Sequence, residues 1–473
     1  MMRSWSGKRV LILGAARQGQ ALARYLVNHG AEVILTDSRP DLELEGARVD
    51  LSDISVKWVT GGHPIELLDG IDLMCVSGGV PLTIPMVLEA QRRAIALSND
   101  SQIFLEAAPC KVIGITGSAG KTTTTTLVGR IAEAAYSASD QTHVWVGGNI
   151  GTPLIASVDE MRPTDLAIME LSSFQLELMT RSPQISAILN ITPNHLDRHG
   201  TMAAYREAKA HILDYQTAQD IAVLGREDQI GYQLSSRVHG RLLSFGFTEM
   251  EKEMEGTFMR RDSLYLRAEG SEQMIMGREA ISLRGDHNLS NVLAACAIAA
   301  SADLSLEAMR AGTTDFHGVA HRLEWVRLWE GANWYNDSIA TAPERTMAAI
   351  LSFQEPLVLL VGGRDKKLPW DKFAEMAHQR VDHLVLFGEM VEKVAQALDI
   401  RIEDGQSLVH SPQRPYTVQF CNNLHEAVRA AAQVIEPGDV VLLSPGGTSF
   451  DEFKDFEERG ERFREWVNEL LSQ

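Results

Sequence analysis

Cysteine is scarce in this chain of 473 residues, and Cys75, Cys110, Cys296 and Cys421 stand too far apart for the short pairs that hold structural zinc. Their even number does not indicate disulfides, and reduced thiols are expected. No run of eighteen apolar residues occurs, and residues 1–8 carry charge without an apolar segment leading to a small-residue cleavage site. A cytoplasmic protein without membrane insertion is therefore expected. Basic residues are in deficit: 44 Lys and Arg face 63 Asp and Glu, a formal net charge of -19. Such a surface repels polyanions, so nucleic acid is not an expected partner, although local clusters of Gly, Lys and Arg can still bind small anions.

The composition is otherwise that of a globular protein, 45% apolar. The length exceeds what one growing core accommodates, and two to four domains are expected. Gly114-Ile115-Thr116-Gly117-Ser118-Ala119-Gly120-Lys121-Thr122-Thr123 is the most informative stretch. An apolar strand runs into glycines, then into Lys-Thr and a threonine-rich helix. Glycines let backbone N–H groups turn toward phosphate oxygens, the helix offers its positive end, Lys121 supplies charge and Thr122 can ligate Mg2+. The spacing departs from the general P-loop. Position 115 is isoleucine where a glycine would stand, and Gly117 is the nearest glycine before Gly120.

Ahead of this loop, residues 9–13 read as a strand, 18–28 as a helix and 33–36 as a second strand, a βαβ start. Gly14-Ala15-Ala16-Arg17-Gln18-Gly19 fits the dinucleotide fingerprint except at Ala16, whose methyl crowds the pyrophosphate position, and Asp37 closes the second strand. The pattern argues against redox use of NAD and leaves another nucleotide-like ligand open. Ser77-Gly78-Gly79-Val80-Pro81 follows the apolar residues 71–76 as a second strand-end loop, or as a plain turn.

After the phosphate loop, residues 165–170 and 185–190 read as strands with polar ends. Glu170, at one strand end, is a metal candidate beside the P-loop. Residues 190–200, Asn-Ile-Thr-Pro-Asn-His-Leu-Asp-Arg-His-Gly, concentrate ionisable groups in one loop. His195 is taken as a metal ligand, while His199 equally fits a surface or helix-capping place. Lys209 falls on a predicted helix over 202–214, where composition alone makes it a solvated lysine. Short strands with charged flanks follow over 221–279. A helix is predicted over 287–300, whose Asn288 and Asn291 could face a ligand or serve as caps. A hinge is expected at 318–322, then strands at 323–329, 357–361, 384–387 and 440–443 alternating with helices, a further α/β core. Gly362-Gly363-Arg364-Asp365-Lys366-Lys367 and Ser444-Pro445-Gly446-Gly447-Thr448-Ser449 are strand-end loops suited to ligands. The last helix is predicted over 450–471, with Phe456, Phe463, Val467 and Leu470 along one packing stripe.

Together these residues resemble the Mur ligase family over essentially the whole chain. Thr116-Gly117-Ser118-Ala119-Gly120-Lys121-Thr122 is similar to its ATP loop, Asn149 within Val146-Gly147-Gly148-Asn149-Ile150-Gly151 and Glu170 to its next landmarks, and His195 to its metal histidine. The terminal run from Leu443-Ser444-Pro445 through Ser449-Phe450-Asp451 to Glu458-Arg459-Gly460 resembles the signature of the members that add D-glutamate. The resemblance implies an α/β protein of three domains. These are a Rossmann-like domain at 1–106 for a UDP-linked substrate, a central P-loop ATPase-like domain with a mostly parallel sheet at 107–317, and a Rossmann-like α/β domain for the amino acid at 318–473. It further implies ATP-dependent joining of D-glutamate to UDP-N-acetylmuramoyl-L-alanine through an acyl phosphate, by a monomer acting in cell-wall precursor synthesis.

By the same resemblance, Gly117, Ser118, Ala119, Gly120, Lys121, Thr122, Thr123, Asn149, Asn288, Asn291, Arg322 and Asp337 surround ATP. Thr122, Glu170, His195 and Lys209 serve one or two Mg2+, with Lys209 open to carbamylation. Lys121, Glu170, His195 and Lys209 form the catalytic set. Asp37, Arg39, Ser77 and Gly79 contact the UDP end, and Thr341, Lys366, Ser449 and Phe456 the amino acid. Closure of the third domain would exclude water. Four departures accompany the resemblance: Asn194 for an aspartate, Ile339 for a lysine, Gly446-Gly447-Thr448 for Ala-Cys-Ala, and Ser77-Gly78-Gly79 for Ser-Pro-Gly. Another Mur or folylpolyglutamate-type amino-acid ligase is the neighbouring alternative, and a nucleotide-binding scaffold without ligation is the alternative of another class.

Overall fold

The computed structural model describes residues 4–137, 141–401 and 407–471; residues 1–3 of the charged start and the final two residues of the third segment lie outside them. The chain forms two compact units, one of Met1–Ser282 with Asp286–Phe316, the other of Leu283–Gly285 with His317–Gln473.

The first unit holds two sheets. Strands β1 (Arg9–Leu13), β2 (Glu32–Asp37), β3 (Val56–Thr60), β4 (Leu73–Val76) and β5 (Ala96–Ser98) pair in the order β3-β2-β1-β4-β5, parallel throughout. The order reverses at β1, which lies between β2 and β4, and such a reversal opens a crevice at the carboxyl ends of the strands. Gly14, Asp37 and Ser77 follow or end those three strands. Gly19 opens the first turn of the Arg17–Asn28 helix, where an added Cβ would lie 1.9 Å from the Gly14 carbonyl, so no larger residue fits this helix–strand approach.

The second sheet contains β6 (Lys111–Thr116), β7 (Val144–Gly148), β8 (Leu166–Glu170), β9 (Ile185–Ile188), β10 (Ile221–Gly225), β11 (Arg241–Gly246), β12 (Glu255–Arg260), β13 (Ser263–Ala268) and β14 (Ser271–Gly277). Its order is β14-β13-β12-β11-β10-β9-β6-β8-β7, parallel from β7 to β12 and antiparallel over β12 to β14. The strand that feeds the phosphate loop is thus flanked by β8 and β9, whose ends carry Glu170 and the polar loop after Ile188. The apolar Asp286–Ser301 helix, buried along most of its length, packs on this sheet beside the Lys121–Tyr136 helix.

The second unit is built on β15 (Glu324–Trp329), β16 (Ala332–Asn336), β17 (Leu357–Gly362), β18 (His383–Phe387), β19 (Leu408–His410), β20 (Thr417–Cys421) and β21 (Val440–Gly446), in the order β15-β16-β21-β17-β18-β20-β19. The inner strands pair in parallel and the two edge pairs are antiparallel. Every residue of β17 and β21 is buried, and the apolar runs that begin both strands, 357–361 and 440–443, are those of strands covered on both faces.

The final helix differs from expectation. It spans Phe456–Glu469, because Asp455 is extended and its side chain accepts the Glu458 N–H as an N-cap. Phe463 and Val467 are buried as predicted, but Arg459 is buried on the same helix. The four cysteines are free thiols. Among the described residues no helix is long and apolar enough to cross a membrane.

Candidate active site

The phosphate loop is formed by a strand that ends in Thr116 and a helix that starts at Lys121, with Gly120 as N-cap at φ +81°, a left-handed conformation that glycine adopts without strain. The strand-end loop after β9 braces it. Asn190 accepts the Ser118 N–H on its backbone carbonyl at 2.9 Å and the Ala119 N–H on its side-chain oxygen at 2.9 Å, and its amide nitrogen donates to the Ala119 carbonyl at 3.1 Å. Two of the loop amides expected to turn toward phosphate are therefore turned toward Asn190. Ser118 Oγ donates to the Thr192 carbonyl at 2.9 Å and lies 3.0 Å from Tyr205 Oη.

Glu170 ends β8 next to this loop and is almost fully buried. One carboxylate oxygen accepts Thr122 Oγ1–H at 2.9 Å, the other Asn149 Nδ2–H at 2.8 Å, and its carbonyl accepts the Asn149 N–H at 2.9 Å. The predicted residues Thr122, Asn149 and Glu170 are thus one hydrogen-bonded group at the mouth of the loop. Hydroxyl and carboxylate oxygens together suit a hard divalent cation. Among the described residues no three His, Cys, Asp or Glu side chains gather to hold a metal, so such an ion would draw on other oxygens as well.

Lys209 corrects its compositional reading as a solvated side chain. It is 1% exposed, on the inner face of the Met202–Asp214 helix. Its Nζ donates to Thr116 Oγ1 at 3.2 Å and to the Gly117 carbonyl at 2.9 Å, and it stands over the Tyr205 ring. Burial, and then the charge of Lys121, push its pKa well below that of an ordinary lysine. Lys121 Nζ reaches the same Gly117 carbonyl at 3.0 Å.

His195 stands at the start of a short helix with φ +52°, exposed, its ring edge toward Phe174 at 5.2 Å. Desolvation lowers its pKa, Asp197 opposes this, and the nearby Lys121, Lys209 and Arg198 lower it further, which favours the neutral imidazole. His199, left open between surface and cap, has a buried side chain. Its ring stacks on Phe174, lies 2.9 Å from Ser173 Oγ, and approaches Glu177 at 3.0 Å on its other nitrogen. Arg198 lies between them in the chain, and composition assigns it no role. Its guanidinium lies 3.9 Å above the Phe174 ring and donates to the carbonyls of Gly78 at 3.0 Å, Gly79 at 3.4 Å and Val80 at 3.1 Å. The loop after β9 thereby grips the loop after β4 of the first sheet. The density of ionisable residues in 190–200 was the available signal; which of them reach across could not be read from it.

In that first sheet, Asp37 receives the Ala15 N–H at 2.8 Å and three N–H groups of Arg39 between 2.8 and 3.0 Å. Burial would raise its pKa, but these donors and the guanidinium charge hold the carboxyl well below the usual range. Ser77 Oγ donates to the Gly14 carbonyl at 3.2 Å, tying the two strand-end loops together. Asn291 is largely buried in the same unit; its Oδ1 would lie 2.2 Å from a Cβ at Gly120, so it abuts the start of the phosphate-loop helix, and Asn288 accepts its amide at 3.3 Å.

The other predicted residues belong to the second unit. Asp337, after β16, is buried, accepts Ser444 Oγ–H at 2.9 Å and the Leu323 N–H at 3.3 Å, and burial pushes its pKa up to about 7 against the opposing pull of Ser444, Leu323 and then the charge of Arg322. Lys366 Nζ donates to Thr341 Oγ1 at 3.0 Å. Ser449 is buried, its carbonyl accepting the Phe453 N–H, and the Phe456 carbonyl accepts Ser338 Oγ–H at 2.8 Å. Arg459, part of the terminal run but given no role there, is fully buried and donates to Ser338 Oγ, the Ser338 carbonyl and the Gly447 carbonyl at 3.0, 2.8 and 3.1 Å. Burial lowers its pKa to about 10.

Comparison with known proteins covers all three sheets. Residues 8–98 match the family description "Mur ligase MurD-like, N-terminal domain", 115–299 "Mur ligase middle domain" and 321–447 "Mur ligase, glutamate ligase domain". The chain is 37% identical over 472 residues to a UDP-N-acetylmuramoylalanine--D-glutamate ligase of Pelotomaculum thermopropionicum, covering 99% of both chains. It is 36% identical over 465 residues to the protein of that name from Acetivibrio thermocellus, covering 98% and 97%. Among solved structures it is similar in fold to MurF from Acinetobacter baumannii, with a TM-score of 0.58 at 20% identity over 98% of this chain and 92% of that one.

Proposed function

The chain belongs to the Mur ligase family, and from that premise we propose that it joins D-glutamate to UDP-N-acetylmuramoyl-L-alanine with ATP, a ligation in peptidoglycan-precursor synthesis. The observation that carries this reading is the group Thr122–Glu170–Asn149 beside two lysines on one loop carbonyl, in a chain more than a third identical to ligases of that name along almost its whole length.

A carboxylate cannot expel oxide when an amine attacks it. ATP overcomes this by phosphorylating the L-alanine carboxylate, and the D-glutamate nitrogen then displaces phosphate from the acyl phosphate to form the amide. No side chain need act as a covalent nucleophile. The loop Gly117–Thr123 and Lys121 would bind and neutralise the phosphates, with Asn291 beside the loop's helix and Asn149 beside its Glu170 partner. Mg2+, when bound, supplies charge neutralisation of the transferring phosphoryl group; Thr122 and Glu170 are the oxygens that would hold it, with the neutral imidazole of His195 as a further candidate.

Lys209 fits a further role by its chemistry. As an ammonium it would repel a cation. A buried lysine depressed toward neutrality can instead add its nitrogen lone pair to the carbon of CO2 and lose a proton to water, giving a carbamate that resembles a carboxylate. Asp37, Arg39, Ser77 and Gly79 form the UDP-side set within a domain at 1–106. Asn288, Arg322 and Asp337 complete the nucleotide set, while Thr341, Lys366, Ser449 and Phe456 form the amino-acid set within 318–473. The enzyme is proposed to work as a monomer.

The test is ADP release with UDP-N-acetylmuramoyl-L-alanine and, separately, D-glutamate, L-glutamate, L-lysine or meso-diaminopimelate, with product mass read in parallel. ADP and a stoichiometric adduct with D-glutamate alone is the expected result. An adduct with another amino acid would keep the ligase and overturn its substrate; nucleotide binding without any adduct would leave only a scaffold.

A further inference from the structure

The second unit gathers three cations, Arg345, Lys366 and Arg459, that no close ion pair neutralises among the described residues; acids act on them only at longer range, Asp451 and Glu452 on Arg459 and Asp337 on Arg345. Lys366 Nζ donates to Thr341 Oγ1 at 3.0 Å, and Arg345, two residues into the Pro343–Ile350 helix, donates to the Ile339 carbonyl at 3.4 Å. The two cations therefore hold opposite ends of one three-residue segment, Ile339-Ala340-Thr341. Arg459 fixes the residue before it, through the hydroxyl and carbonyl of Ser338. Neighbouring cations of the unit have carboxylates: Arg364 has Glu389 at 2.9 Å, Lys393 has Asp365 at 2.6 Å and Arg464 has Glu324 at 2.9 Å. Among the described residues no carboxylate stands at ion-pair distance from Arg345, Lys366 or Arg459. On a chain of net charge -19, like charges collected without an ion-paired carboxylate repel one another, and an anionic ligand would relieve that repulsion.

Their mutual field is also felt at Lys366, whose pKa is lowered by desolvation and then by the charges of Arg345 and Arg459. Arg459 is buried with its donors occupied by backbone and hydroxyl oxygens, so it serves as a fixed positive support. Arg345 is exposed, and a single long hydrogen bond through one of its terminal nitrogens leaves its planar fork able to grip a carboxylate in bidentate fashion. Position 339, between them, carries an uncharged isoleucine. A dicarboxylic amino acid brings two anionic groups, and Lys366 with Thr341 suits only one of them.

Resting on the ligase reading above, we propose that Arg345 is a binding and specificity residue of the amino-acid site, holding one carboxylate of the incoming D-glutamate while Lys366 and Thr341 hold the other. The charge comes from the first turn of the helix instead of from position 339.

The experiment pairs steady-state kinetics with direct binding of 13C-labelled D-glutamate to the full-length protein by NMR, for wild type, Arg345→Ala, Arg345→Lys and the double variant Ile339→Lys with Arg345→Ala. The expected result for Arg345→Ala is a KM and Kd for D-glutamate raised by about 10- to 100-fold, the loss of one charge-assisted hydrogen-bonded contact. KM for ATP and for the UDP-linked substrate should stay within about twofold, a margin well inside one such contact. Discrimination against D-glutamine or D-isoglutamine, whichever lacks the carboxylate Arg345 holds, should fall with it. Arg345→Lys should recover part of the affinity, and the added lysine at 339 should restore part of it from the neighbouring position. An unchanged Kd for D-glutamate in Arg345→Ala overturns the proposal, as does an equal rise in all three KM values, which would mark a structural role. A wild type that ligates another amino acid, or none, would instead count against the ligase reading, and the binding measurement still decides Arg345 in that case.

Discussion

Lys121 and Lys209 share one acceptor: both Nζ atoms donate to the carbonyl of Gly117, at 3.0 and 2.9 Å. Burial of Lys209, and then the repulsion of the Lys121 ammonium on the same oxygen, make Lys209 the one whose proton is weakly held. The arrangement divides the labour between residues of the same type. On the proposed reading Lys121, at the helix start, is the lysine that meets phosphate, while Lys209, buried beside Tyr205 and Thr116, is the one proposed to react as an amine. Glu170 lies within electrostatic reach of Lys209 and is bonded to Thr122 in the same loop.

Replacing Lys209 by methionine separates stability from function. The depressed pKa means that folding disfavours the proton, so between the folded and unfolded values the native lysine costs stability that returns as pH rises. Lys209→Met should therefore melt no lower than wild type near pH 7 while losing ligation by about 100-fold or more, the scale of removing one preorganised charge-handling group. Calorimetry and ADP release check both halves. In wild type, removal of CO2 should lower activity, and 13C-labelled bicarbonate should give a carbamate signal absent from the methionine variant.

Glu170→Gln keeps the shape and one acceptor but removes the charge. Thr122 Oγ1 and Asn149 Nδ2 now converge on a carboxylate, and an amide can accept from only one of them. A fall in kcat on the order of 100-fold is expected, together with a higher Mg2+ concentration for half-maximal rate. A magnesium titration of kcat measures it; an unchanged midpoint would separate Glu170 from the metal.

Asp337 makes the second unit sensitive to pH. Its folded pKa of about 7 lies above the ordinary carboxyl value of about 3.9. Between these values the folded protein keeps a proton that the unfolded chain releases, so stability from this group falls as pH rises through the window and levels off above it. Asp337→Asn, neutral at every pH, should gain on wild type from pH 5 to pH 8 by about 2–4 °C for each kcal/mol relieved. A difference in melting temperature that does not change with pH would show that the carboxyl is already ionised at pH 5.

Much of this frame is legible in the chain. Apolar runs such as Leu357–Gly362 are continuous because both faces of a parallel strand are covered, and the polar residues proposed as ligands fall where such runs end, as Glu170 and Asp37 do. What escapes is anything decided by distant packing. Nothing local in Ala208-Lys209-Ala210 tells a buried lysine from a solvated one, and Arg459 sits among the glutamates of a charged helix yet is enclosed. The polar density of 190–200 marks a loop rich in ionisable groups, but it does not separate the exposed His195 from Arg198 and His199, which are held by other parts of the chain. Their partners, Gly78 and Glu177, lie elsewhere in the chain.

Arg198 offers the sharpest test of how the loops cooperate. Its guanidinium joins three carbonyls of the 78–80 loop, and its stacking on Phe174 fixes the plane of the fork. The loop after β4 is proposed to meet the UDP-linked substrate, so the arginine acts through that loop as a positioning residue. Arg198→Met keeps much of the apolar stem over the ring and removes every donor. It should raise KM for the UDP-linked substrate by about 10-fold, near the lower bound for hydrogen bonds from a charged group, with a smaller change in KM for ATP. Arg198→Lys keeps the charge but can reach fewer of the three carbonyls, so only partial recovery is expected. If the two variants behave alike and both KM values rise together, the clamp is a general brace of the first unit; if charge alone restores binding, the planar fork is not what holds the loop.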